Sequence, residues 1–252
     1  MKSVFSPLAL SLVIAIAGLG LLNLDYAASV PAAATADYHY STLHSRDGIG
    51  KFYLGREIAK VMSHREMLWL ERPSREIQEQ PDRLMASLGL QGTEIVADLG
   101  AGTGYFSFRL APLVPQGKVL AVEIQPEMLD ALEFLKQENG LTNVETILGT
   151  AENPHLPEAS VDLALLVDAY HEFEYPKEMM QAVYRGLKPG GKVVLVEYRR
   201  ENPLIPIKAL HKMTQRQAKQ EMAAAGLVWQ ETQEFLPQQH VMFFEKPLES
   251  RV

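Results

Sequence analysis

The 252-residue chain contains no cysteine. That absence excludes disulfides, thiolate metal sites and thiol nucleophiles together, although it does not fix the redox compartment, because exported proteins also dispense with cysteine. Runs of Lys or Arg are missing as well. With 24 Lys and Arg against 31 Asp and Glu, the formal net charge is −7, the wrong sign for the basic footprint of a nucleic-acid binder, so nucleic acid is not an expected partner. Internal repeats are absent, and the only biased stretch is the Ala-rich piece around Ala32. What remains is ordinary for a globular protein: 47% hydrophobic and 22% charged residues, in a length that suits one domain plus appendages.

The first 36 residues stand apart. Lys2 precedes an apolar stretch from Leu8 to Leu24 that carries no charge, and Ala32, Ala34 and Ala36 follow. That is the order of a secretory signal peptide, with cleavage after Ala36 or, with equal spacing, after Ala34. The alternative is an uncleaved membrane anchor, although an apolar run of 17 residues interrupted by Gly18 and Gly20 is short for a bilayer. The expected location is therefore exported, periplasmic or extracytoplasmic, or membrane-anchored, with a cytoplasm-facing anchor also open.

Residues 37–50 are polar and show no period, which predicts an extended arm outside the core. Leu54, Ile58, Val61, Met62, Met67, Leu68 and Leu70 mostly follow three- and four-residue spacings, which predicts a helix over Leu54–Leu70 ended by Pro73. A second helix starts at Ser74 or Pro81 and runs to Leu88, so that residues 37–92 form an arm and a helical cover. From Glu94 short apolar runs alternate with amphipathic segments. Strands are expected at Glu94–Leu99, Lys118–Glu123, Val144–Leu148, Val161–Val167 and Lys192–Tyr198, with helices at Tyr105–Leu113, Pro126–Gln137 and Lys177–Leu187. Near-continuous apolar strands such as VDLALLV and KVVLVEY, separated by helices, indicate a parallel sheet covered on both faces. A helix over Thr214–Ala225 and two strands, Leu227–Phe235 and His240–Glu245, close the chain; their short connection demands antiparallel pairing. The fold class is therefore α/β, a doubly wound Rossmann-like sheet of seven strands, mostly parallel with an antiparallel C-terminal hairpin, over residues 93–252.

The sharpest motif is VADLGAGTGYFS, in which a strand feeds Gly100, Gly102 and Gly104 and then a helix. Glycines let the backbone turn tightly against a ligand, and a helix N-terminus offers free N–H groups. The spacing is G-x-G-x-G with Tyr105 where the dinucleotide fingerprint places its third glycine, which argues against a nicotinamide-dependent oxidoreductase. Glu123 closes the next strand, where a carboxylate can accept ribose hydroxyls. DAYHEF follows the fourth strand at the edge where open α/β sheets place ligands.

Taken in order, DLGAGTG, VEIQPEML, ASVDLALLVDAYHEF and LKPGGKVVLVEY resemble the successive motifs of class I S-adenosylmethionine-dependent methyltransferases. The resemblance covers Glu94 to Tyr198 most strongly. It implies S-adenosylmethionine as cofactor, with Asp98, Gly100, Ala101 and Gly102 toward the methionine portion, Glu123 on the ribose, Ile124 against adenine, and Asp168 completing the cofactor side. Where that family often has an aspartate after the third strand, this chain reads Gly149, Thr150, Ala151, Glu152; Thr150, the Ala151 backbone or Glu152 can substitute in meeting adenine.

Candidate catalytic residues are His171, Tyr170 and Glu172. An imidazole whose ordinary pKa is about 6.5 suits a general base, and the alternative for His171 is a part in shaping the pocket. Tyr53, Arg56, His64, Arg65, Trp69 and Arg72 are candidates for the acceptor pocket. His211 and His240 are distant in sequence from DAYHEF, and without a paired spacing no metal is expected. The function expected is methyl transfer to a small-molecule hydroxyl, acidic carbon or amine; the alternative is a non-catalytic module that binds the same nucleoside.

Overall fold

Near-continuous burial along the central strands marks a sheet covered on both faces in this chain, for which the computed structural model describes residues 38–248. The leader or anchor expected over residues 1–36 lies outside the described residues. Among the described residues no helix is long and apolar enough to cross a membrane.

Three short strands come first, β1 (Tyr38–Tyr40), β2 (Gly48–Tyr53) and β3 (Arg56–Ala59), and pair antiparallel as a small sheet. Two short helices follow, α1 (Arg75–Gln78) and α2 (Pro81–Ser87). The main body then runs β4 (Ile95–Leu99), α3 (Ser107–Leu110), β5 (Lys118–Glu123), α4 (Pro126–Glu138), β6 (Val144–Leu148), β7 (Val161–Val167), α5 (Pro176–Gly186), β8 (Leu187–Tyr198), α6 (Gln215–Ala224), β9 (Val228–Gln233) and β10 (Gln239–Glu245). Its seven strands lie in the order β6-β5-β4-β7-β8-β10-β9. The five from β4 to β8 are parallel, and β10 runs antiparallel between β8 and β9. This is the doubly wound sheet with a reversed C-terminal hairpin that the apolar runs predict.

Each central strand is apolar on both faces because both faces are covered. Val96, Leu163, Leu165, Val194 and Val196 pack on one side with Leu84, Leu110 and Leu132 from α2, α3 and α4. Ala97, Leu99, Ala164, Leu166, Val193 and Leu195 pack on the other with Met180, Val183, Ala218 and Met222 from α5 and α6. The chain leaves β4 toward β5 and β6 and returns to β7 on the opposite side, so the strand order reverses between β4 and β7. A cleft opens there beyond the C-terminal strand ends.

The N-terminal segment departs from expectation. Residues 54–70 do not form one helix: Leu54 and Gly55 take positive φ values of 46° and 88°, a two-residue hairpin turn between Tyr53 and Arg56, which are paired across β2 and β3. The apolar spacing read as one helical face is divided between a strand that buries Ile58 and Ala59 and a 3₁₀ turn, His64–Trp69, that leaves Leu68 and Trp69 exposed. The arm is also not wholly outside the core, since Gly48 and Gly50 are buried in β2. The next helix is split into α1 and α2 because Gln80 adopts a left-handed φ of 49° immediately before Pro81. In the main body, Tyr105–Leu113 shortens to α3 followed by a 3₁₀ turn over Ala111–Leu113, where Pro112 cannot donate a helical hydrogen bond.

A buried ion pair fastens this cover to the main body. Arg56 Nε and Nη2 donate to the two carboxylate oxygens of Glu221 in α6 at 2.7 and 2.8 Å. Arg56 Nη1 donates to the His171 carbonyl at 3.0 Å, and Tyr170 Oη and Gln217 Nε2 each donate to Glu221 at 2.8 Å. A second fastening is aromatic: Lys51 Nζ lies 4.1 and 3.3 Å from the ring centroids of Tyr38 and Tyr175. Removing one member of a buried, forked pair strands the other charge, which typically costs about 3–5 kcal/mol. Arg56→Met and Glu221→Met are each expected to destabilise by that order in urea unfolding. The double variant is expected to lose less than the sum of the two; strict additivity would mean that the fork is not the fastening described.

Candidate functional site

The turn after β4 is built from backbone that only glycine adopts without strain. Gly100, Gly102 and Gly104 have φ values of 75°, 56° and 91°. A Cβ on Gly100 would stand 2.7 Å from the Ala169 Cβ at the end of the neighbouring strand. Gly100 and Ala101 both donate to the Val122 carbonyl at 3.0 Å, which ties the turn to β5. Glu123 completes the tie. Its Oε2 accepts from Gly102 N at 2.9 Å, and its Oε1 accepts from Ile124 N and Gln125 N at 2.7 and 2.9 Å. Burial raises the Glu123 pKa, and those three backbone N–H groups oppose the rise.

Asp98 lies beneath the turn, 2% exposed, and accepts from Ser107 Oγ at 2.6 Å. Burial raises its pKa from an ordinary 3.8 to about 6, against the opposing pull of Ser107 and the Arg75 guanidinium. Across the cleft Asp168 takes a φ of 49° just after β7. Its Oδ2 accepts from Gln239 Nε2 at 2.6 Å, whereas Oδ1 is buried with no hydrogen-bond partner. Burial and the carboxylates of Glu79 and Glu197 raise the Asp168 pKa well above the ordinary value.

These groups line one cavity of about 700 Å³. Its wall toward the N-terminal segment is a second charged network. Arg75 Nε donates to Glu79 Oε2 at 2.6 Å, Tyr198 Oη donates to Glu79 Oε1 at 2.8 Å, and Arg72 pairs with the same carboxylate. Arg72 also lies 3.9 Å from the Trp69 ring centroid.

The third group is centred on His171, in a 3₁₀ turn over Tyr170–Glu172. His171 Nδ1 lies 2.7 Å from Glu197 Oε2, and the His171 backbone N donates to Glu197 Oε1 at 3.2 Å. On its cavity side His171 Nε2 lies 3.1 Å from His211 Nδ1 and 3.8 Å from Glu172 Oε1, and His211 Nδ1 lies 3.3 Å from that same oxygen. Burial lowers the His171 pKa to about 3, so the ring is neutral at neutral pH; burial likewise raises the Glu197 carboxyl. Such an imidazole orients and accepts hydrogen bonds, and it is a weak base. His171, Glu172 and His211 form a three-donor set that can hold a metal ion, which sequence spacing does not predict because His211 comes from a separate 3₁₀ turn, Ala209–His211.

Most of the expected cofactor-side residues line the cavity: Asp98, Gly100, Ala101, Gly102, Glu123, Ile124, Ala151 and Asp168. Of the expected catalytic residues, His171 and Glu172 line it. Tyr170 does not; it is fully buried, with its hydroxyl given to Glu221 on the far side of the turn. Glu152 is exposed and outside the lining, which leaves Ala151 on that side of the cavity. Trp69 and Arg72 face the cavity, whereas Tyr53 and Arg56 are buried in the cover and His64 and Arg65 lie outside the lining. Glu79, Arg75, Tyr198 and Glu197 are site residues that the sequence reading misses. Only Glu197, a lone acid inside the apolar run VVLVEY, carries a signal that pattern reading can use.

With this geometry established, the chain matches the sequence model of a methyltransferase domain over residues 91–241. It is 35% identical over 139 residues to an uncharacterised methyltransferase-like protein of Schizosaccharomyces pombe, covering 55% of this chain and 52% of that one. It is 31% identical over 114 residues to a demethylmenaquinone methyltransferase of Oceanobacillus iheyensis, covering 45% of this chain and 48% of that one. The matched segment thus spans about half the length of these relatives. Among solved structures, a SAM-dependent methyltransferase from Aquifex aeolicus shares the fold with a TM-score of 0.70 and 21% identity, covering 74% of this chain and all of that one.

The buried Asp98 generates a pH prediction. Between about pH 4 and 6 the folded state holds a proton that the unfolded state has released, so Asp98 makes stability fall as pH rises through that window and leaves it level above. Asp98→Asn keeps an acceptor for Ser107 and has no such loss. Its stability relative to the parent is expected to climb from pH 4 to 6 and then plateau, by on the order of 3 kcal/mol at most, in urea unfolding at stepped pH. A difference independent of pH would contradict the assignment.

Proposed function

The chain belongs to the methyltransferase domain family, and from that premise we propose that it is an S-adenosylmethionine-dependent enzyme that methylates a small molecule. The observation that carries the proposal is the cavity at the strand-order reversal. Its lining joins the glycine turn and Glu123 on one side to Asp168, His171 and Glu172 on the other.

The residues present fit this cofactor. The volume of about 700 Å³ is within the range of ligand pockets that enclose drug-sized molecules. The glycine turn presents backbone without a Cβ, and the carboxyls of Asp98, Glu123 and Asp168 make the lining acidic, which suits a ligand carrying a cationic sulfur. When bound, S-adenosylmethionine supplies a methyl group already activated by a sulfonium, so the protein's task is alignment and exclusion of water. In this reading Glu123 receives the ribose hydroxyls, Ile124 offers an apolar surface to the adenine, and the Ala151 backbone meets the adenine edge. Asp98 and Asp168 border the methionine portion. The acceptor enters past Trp69 and Arg72 and presents its nucleophile toward His171 and Glu172, whose turn is held by Arg56.

Calorimetric titration of the full-length protein with S-adenosylmethionine and, separately, with NADH tests the reading. Saturable binding of the former alone is expected. Glu123→Gln weakens two or three charge-assisted hydrogen bonds and is expected to lower that affinity about ten- to a hundredfold. Binding of neither ligand would overturn the proposal. Binding without methyl transfer to any acceptor would favour the non-catalytic nucleoside-binding alternative.

A further inference from the structure

We propose that His171 Nε2, Glu172 Oε1 and His211 Nδ1 bind one divalent transition-metal ion at the acceptor end of the cavity, with Zn²⁺ the ion best matched to the donors. The three atoms are separated by 3.1, 3.3 and 3.8 Å. Tetrahedral bonds of about 2.0–2.1 Å place ligand atoms about 3.4 Å apart, so these donors surround a point at bonding distance with only small adjustments. Two imidazoles and one carboxylate are also the donor chemistry of open catalytic sites, which keep a remaining position for substrate. All three residues line the cavity, so that remaining position faces it.

Two of the three donors already have a supporting contact. A metal-bound imidazole is oriented by a partner on its other nitrogen, and for His171 that partner is present: the fully buried Glu197 lies 2.7 Å from His171 Nδ1. With that N–H given to Glu197, Nε2 turns its lone pair toward His211. Glu172 is fixed in the same way: its Oε2 accepts from Met62 N at 3.0 Å, which leaves Oε1 facing the two rings. The Arg56 guanidinium, a nearby cation, is neutralised by its fork to Glu221. The Glu172 carboxylate brings negative charge to the ion, and its contacts with His171, His211 and Met62 N include no lysine or arginine that competes for it.

The role of the ion rests on the methyltransferase reading; its binding does not. An acceptor hydroxyl taken as the next ligand is acidified, and its proton passes to cavity water. The oxygen then forms its bond to the methyl carbon as the carbon–sulfur bond breaks, and that electron pair remains on sulfur as a neutral thioether.

The test uses untagged full-length protein stripped with a chelator. Zn²⁺ titrated by calorimetry is expected to bind at one equivalent, and His211→Ala and Glu172→Gln are each expected to weaken it at least tenfold. Glu197→Gln is expected to weaken it about ten- to a hundredfold without removing a ligand. Co²⁺ substitution is expected to give visible absorption typical of four- or five-coordinate cobalt, lost in His211→Ala. No saturable Zn²⁺ binding, or binding unchanged in both His211→Ala and Glu172→Gln, would overturn the proposal and leave the cluster as a hydrogen-bonded relay. S-adenosylmethionine titrated into the same preparations separates the two readings. Retained cofactor affinity with lost Zn²⁺ in the variants confirms that they fold and supports the metal site, whereas Zn²⁺ binding in a parent that ignores S-adenosylmethionine would refute the functional reading alone.

Discussion

The buried fork between Arg56 and Glu221 is the interaction on which the site's geometry depends. One guanidinium in the small N-terminal sheet reaches a carboxylate on α6 and, in passing, the carbonyl of His171. Tyr170, one residue earlier, gives its hydroxyl to the same carboxylate. The turn that carries His171 and Glu172 into the cavity is therefore clamped between the cover and the sheet. Two charges withdrawn from water are held at a net cost unless every donor and acceptor is used, and here Gln217 supplies the remaining contact. Such an arrangement secures the position of the turn more than it adds to stability.

Around this clamp the cavity gathers groups that a protein interior tolerates poorly. Asp98, Glu123, Glu79 and Glu197 are acids withdrawn from water, and the part-buried Asp168 combines a left-handed backbone with a buried, unpartnered oxygen. Burial raises the pKa of Asp98, Glu123 and Asp168, and these three line the cavity on the side of the glycine turn and the end of β7. Strain and poorly satisfied polar groups concentrate at functional sites because binding offsets there what folding alone would reject. The cover contributes the compensating cations, Arg72 and Arg75, which pair with Glu79 rather than with the acids facing the glycine turn.

The two sides of the cavity differ in construction. The glycine turn and Glu123 are joined through backbone N–H groups, so their geometry follows from adjacent parallel strands and tolerates little change. The His171 side depends on side chains from three distant segments, and its shape depends on how the cover and the turn over Ala209–His211 settle against the sheet. Domains of one family can therefore share the first side and differ at the second.

Residue pattern was enough to read the doubly wound sheet, its reversed hairpin and the glycine turn with Asp98 and Glu123. In these segments local pattern and tertiary burial demand the same residues: a strand covered on both faces must be apolar throughout, and a turn that approaches a ligand must be glycine. It did not determine the cover. Leu54 to Leu70 has helical spacing but opens on a turn whose positive φ values at Leu54 and Gly55 no periodicity reveals, and then divides between β3 and a 3₁₀ turn. Tyr170 and Glu152 show the same limit at the site, because residues adjacent to lining positions point into the core or into solvent according to a local turn. Only the tertiary structure brings His211 beside His171 and Glu172, Glu79 beside Tyr198, and Arg56 beside Glu221, since contacts made across 40, 119 and 165 residues leave no trace in spacing.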